Sequence, residues 1–123
     1  MSDKSVAERL QVKGTRRLAV LNASAELDGA VGAAGARAAA GDAEVVLLFT
    51  ADRARFDQEV PALLKAMRND AILWVAYPKL TSPLAADLSR DVIHAAAPGF
   101  GLDTISQIAI DADWSALRLK RAG

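Results

Sequence analysis

The sequence predicts an α/β protein, an abbreviated Rossmann-like three-layer sandwich whose mostly parallel sheet ends in a C-terminal antiparallel hairpin. Three observations carry that expectation. Apolar runs of strand length recur at "RRLAVLN", "EVVLLFT" and "AILWVAY", and the second is β-branched and continuous, as in strands covered on both faces. Segments with helical caps or helical periodicity separate the runs. The tail changes character, since "TISQIAI" and "WSALRLKR" read as two strands joined by the tight acidic turn "DAD". Strand–helix alternation followed by a hairpin places the first strands side by side in one direction and reverses the last.

The elements follow in order. Ser5 and Glu8 stand at capping-box spacing in "SVAERLQV", a short helix that ends before Lys13-Gly14. Arg16 to Asn22 is the first strand, and Ser24 caps a short helix around Ala25 to Val31. In "GAVGAAGARAAAGD" alanine favours helix while glycine opposes it, and a short strand near Ala36 to Ala40 is expected. Glu44 to Thr50 is the second clear strand. The next helix carries Phe56, Val60, Leu63, Leu64 and Met67 on one apolar stripe, and Pro61 either kinks it or opens a second helix. Ala71 to Tyr77 is the third clear strand. Ser82 then reads as an N-cap with Pro83 at the first helical position, the helix running to the breaker "PGFG" at Pro98 to Gly101.

Composition narrows the function. A chain of 123 residues suits one domain over 1–123, and 52% hydrophobic with 24% charged residues suits an ordered globular protein. Fifteen basic residues balance fifteen acidic ones, so nothing draws a polyanion to the chain, and the clusters Arg16–Arg17 and Arg118, Lys120, Arg121 read as solvated strand ends. Nucleic acid is not an expected partner. The absence of cysteine excludes disulfides and thiolate chemistry. No apolar run approaches the roughly 20 residues that span a bilayer, so a cytoplasmic protein without membrane contact is expected.

No self-sufficient catalytic signature is present. Gly29, Gly32 and Gly35 match neither a dinucleotide fingerprint nor a P-loop, and the turn after the first strand is "NASAEL". One histidine and no cysteine leave no zinc set, and no G-x-S-x-G occurs. His94 can share a polar helical face with Asp87, Arg90 and Asp91, read as a solvated outer face. Ligands in open parallel sheets collect beyond the carboxyl ends of the strands. That rim gathers Asn22, Thr50, Asp52, Pro78, Lys79, Thr81 and Ser82, and the hairpin turn adds Asp111, Asp113 and Trp114. Lys79, beside the helix opened by Ser82, can hold an anion. In the simpler reading it pairs with Asp111 or Asp113 and fastens the hairpin. Trp74 and Trp114 read as core or rim packing.

The runs "VVLLFTADRARF", "ALLKAMRNDAILWVAYPK", "DLSRDVI" and "WSALRLKR" resemble a family of small bacterial proteins of unknown function. The resemblance spans most of the chain from about Arg16. It implies a Rossmann-like fold with Trp74, Pro78, Lys79, Asp87, Arg90, Asp91, Trp114, Ser115 and Arg118 as hallmark positions, and no activity. More distantly, the element order is similar to the back half of class I methyltransferases. Those enzymes hold their donor with a glycine-rich turn after the first strand and usually an acidic residue after the second; "NASAEL" departs from the first feature and the second has no clear counterpart. A non-enzymatic module is therefore expected, without cofactor or metal, taking a small-molecule or protein partner, a second copy included. The alternatives are a methyltransferase-like protein with a degenerate donor site or a binder of small anions. The expected ligand or partner site is Lys79, Thr81, Ser82, Asp87, Arg90, Asp111, Asp113 and Trp114.

Overall fold

Strands β1 (Leu18–Leu21), β2 (Val45–Phe49) and β3 (Ile72–Pro78) lie parallel and adjacent in the computed structural model, which describes residues 5–122. Strand β5 (Trp114–Arg121) pairs antiparallel with β3, setting Pro78 opposite Trp114, and β4 (Leu102–Ala109) pairs antiparallel with the outer side of β5. The sheet order is β1-β2-β3-β5-β4, so β4 runs with β1 to β3 and the hairpin turn sits at the carboxyl rim. The expected architecture is the observed one.

Helices cover both faces, which is why all of β2 is buried and can be apolar throughout. On one face, α1 (Val6–Arg9) and α2 (Ala25–Val31) deliver Leu10 and Val31 against Leu18, Leu47 and Trp74. On the other, α3 (Arg53–Ala66) and α4 (Arg90–Ala96) deliver Phe56, Val60, Leu63 and Ile93 against Val46, Val75 and Leu117. Trp74 is fully packed, and its indole N–H donates to the Leu10 carbonyl at 3.0 Å, locking α1 onto the sheet. Ser5 and Ser24 cap α1 and α2 as their positions suggest. Pro61 lies inside a single α3, in which the Asp52 side chain caps the first turn.

Two expectations are corrected. No strand forms over Ala36 to Ala40; the segment makes 3-10 turns at Ala34–Ala36 and Ala40–Asp42, with one parallel bridge from Arg37 to Leu18. Left-handed backbone at Gly32 and Ala33 breaks the extended path, and alanines supply little side chain to hold it. Nor does a helix begin at Ser82–Pro83. The chain turns from Leu80 to Leu88, and α4 starts at Arg90 with Ser89 as its N-cap. The Ser82 hydroxyl is drawn instead to Asp113, 2.9 Å away across the hairpin. The end near "PGFG" holds: a 3-10 turn over Ala97–Phe100 closes at Gly101, whose φ of 73° suits glycine.

Candidate functional site

The carboxyl rim is assembled from strand exits that bond to one another. After β1, Asn22 adopts φ 64° and its side-chain amide donates to the Glu59 carboxylate on α3. After β2, the buried Thr50 hydroxyl donates to the Ala76 carbonyl at 3.0 Å. Asp52 accepts from the Arg55 N–H, and Asp87 accepts from the Arg53 N–H, both at 2.8 Å. Asp87 therefore serves the N-terminus of α3 rather than a polar face with Arg90, Asp91 and His94, because it precedes α4.

Lys79 also departs from expectation in its partner. It forms no ion pair with Asp111 or Asp113. Its Nζ donates to the Asp111 carbonyl at 2.7 Å, and its backbone N–H donates to the Asp113 carbonyl at 2.8 Å. The Asp111 carboxylate is occupied within its own turn, accepting the N–H groups of Asp113 and Trp114, each at 2.8 Å. The Asp113 carboxylate accepts from Ser82, whose oxygen also accepts the Leu84 N–H at 3.0 Å. With no helix starting at Ser82, the helix-terminal donors expected beside Lys79 are absent there. Trp114 packs edge-on against Phe49 on the face opposite Tyr77, ring centroids 5.3 Å apart, which is the packing role expected of it.

A groove opens on the α4 face instead. Tyr77 and Ser115 are register partners on β3 and β5, so their side chains share that face. Tyr77 is only 3% exposed, and its hydroxyl is buried without a hydrogen-bond partner. Burial pushes its pKa above the ordinary phenol value, opposed by the Arg90 charge and by an interaction with the Ser115 hydroxyl that falls outside hydrogen-bond geometry, and aided by Asp91. A cavity of about 290 Å³ is lined there by Tyr77, Lys79, Thr81, Ser89, Arg90 and Ser115. Arg90, Asp91 and Gln107 also border a second cavity of about 360 Å³. This one lies between α4 and the irregular stretch of β4 from Thr104 to Gln107, where His94 Nδ1 and the Thr104 hydroxyl are 2.6 Å apart. Among the described residues no group of His, Cys, Asp and Glu is placed to hold a metal ion.

The structure thus brings Lys79, Thr81 and Arg90 into one cavity, leaves Asp111 and Asp113 in the hairpin turn with Ser82 bonded to it, sets Asp87 against the N-terminus of α3 and puts Trp114 on the far face. Sequence reasoning missed Tyr77, Ser89, Gln107 and Ser115 as cavity residues. The available signal was the period of two along β3, which puts a polar-tipped ring among buried aliphatic neighbours on the α4 face.

No family model matches the chain and no curated protein matches it significantly, so the resemblance to the small bacterial family rests on its quoted residues alone. Solved structures do match in fold. Ribosomal protein L11 methylase from Lactobacillus delbrueckii subsp. bulgaricus superposes with TM-score 0.60 at 11% identity, covering 96% of this chain and 75% of that one. The mitomycin 7-O-methyltransferase MmcR gives TM-score 0.55 at 16% identity over 95% of this chain and 53% of its own. LepI in complex with SAM gives 0.53 at 10% identity over 94% and 39%. The chain has a methyltransferase-like Rossmann fold. It spans about half of MmcR and under half of LepI. No helix among the described residues is long and apolar enough to cross a membrane.

The residues present do not fit the donor that such folds imply. Ala23 and Ala25 stand in the turn after β1, and Asn22 is tied to Glu59. Outside β1 the sheet continues, among the described residues, only as the Arg37 bridge, so no strand among them offers an acidic residue to a donor ribose.

Proposed function

We propose that the chain is a non-enzymatic binding module on a methyltransferase-like scaffold, taking a small ligand in the α4 groove rather than a methyl donor at the rim. The carrying observation is that groups at the rim are engaged internally: Asn22 with Glu59, Lys79 with the Asp111 carbonyl and Ser82 with Asp113. A donor would have to break ties that hold the hairpin and α3 in place. Calorimetric titration with S-adenosylmethionine should give no heat of binding. Saturable binding in the micromolar range would overturn the proposal in favour of the methyltransferase-like alternative.

A second copy as partner is the second reading, favoured by the free outer edge of β4 and by Ile105, 48% exposed on it. Light scattering at twice the monomer mass supports that reading; a monomer removes it.

A further inference from the structure

We propose that the groove is a site for a small organic anion, whose carboxylate or phosphate end sits between the Tyr77 hydroxyl, Lys79 and Arg90. This rests on the binding-module reading and adds the chemistry of the ligand. Native buried hydroxyls almost always find a partner, so an orphan at a cavity points to a group that completes it. Here the orphan is Tyr77, which lines the cavity together with Lys79, Arg90 and Ser115.

The sign of the missing partner follows from its surroundings. Lys79 gives one Nζ donor to the Asp111 carbonyl and keeps the others, while the Arg90 side chain is 63% exposed and its guanidinium meets Asp91 at 3.4 Å. A phenol donor that shares a cavity with two cations is completed best by an anionic acceptor, which forms stronger, charge-assisted bonds. Asp91, 86% exposed, sits where solvent screens it most. The rest of the ligand is expected to be apolar in part. Leu80 lines the Tyr77 cavity at 70% exposure and Ile105 lines the adjoining one at 48%, two of the three large exposed hydrophobics among the described residues. A cavity near 300 Å³ is at the small end for metabolite sites.

The test titrates isotope-labelled protein with sodium benzoate and, separately, with inorganic phosphate, reading amide shifts. Saturable shifts at Tyr77, Ser89, Gln107 and Ser115 with either probe are expected, and the probe that binds tells a carboxylate from a phosphate site. Tyr77→Phe should weaken binding about 2- to 10-fold, and Arg90→Gln by a similar factor with a smaller dependence on salt. No saturable shift with either probe, or affinity unchanged in Tyr77→Phe, would overturn the site. S-adenosylmethionine is the control that separates the two proposals. Its binding at Asn22 to Ser24 defeats the binding-module reading, whereas silence from all three compounds defeats only the anion site.

Discussion

A buried hydroxyl without a partner penalises the fold that contains it, and at Tyr77 that penalty is measurable. Tyr77→Phe keeps the ring and deletes the orphan, so the ligand-free variant should be more stable by about 1–3 kcal/mol in urea denaturation. Gain of stability with loss of affinity is the pattern expected of a site residue. The pH dependence has a definite sign. Because the folded phenol is harder to ionise than the unfolded one, stability linked to Tyr77 is intact below about pH 10 and is lost as pH rises through the higher folded value. The chain has one tyrosine, so phenolate absorbance follows this group alone. A midpoint above that of a free tyrosine is expected, and the alkaline loss should shrink in Tyr77→Phe. Lys79 was legible as a rim residue from its place after a strand. Its partner was not, because an internal carbonyl and a nearby carboxylate look alike until the turn places Asp111 Oδ1 on its own backbone.

At the scale of elements, the two serines before α4 show where local pattern stops deciding. Ser82-Pro83 carries the better sequence signature for a helix start, yet Ser89 makes the cap, accepting the Val92 N–H at 3.2 Å. Contact between Ser82 and Asp113, far apart in the chain, outweighs local preference. Ser89→Ala should therefore cost about 1 kcal/mol of stability, while Ser82→Ala should leave helix content unchanged by circular dichroism and loosen the hairpin turn, seen as faster amide exchange at Asp113 and Trp114. Helix α3 offers the converse case. Its apolar stripe was plain, and it stays one helix despite Pro61 because Phe56, Val60 and Leu63 anchor both sides of the proline. Pro61→Ala restores a helical N–H and should stabilise the protein by about 1–3 kcal/mol by the same denaturation measurement.

For the whole molecule, the parallel core and the reversed final strand were legible because long apolar runs and a short acidic turn leave few topologies open. The outer edge was not, since alanine and glycine encode neither a strand nor a helix firmly, and the structure places only one bridge there. That weak edge matters most for function, because it is the side on which a methyl donor would need support. The most direct measurement is a comparative shift map of the labelled protein with S-adenosylmethionine and with benzoate or phosphate. The expected result is silence at Asn22 to Ser24 with the donor and a saturable response around Tyr77, Ser89 and Ser115 with an anion; a saturable donor response at the β1 exit, with the groove unaffected by either anion, would contradict it.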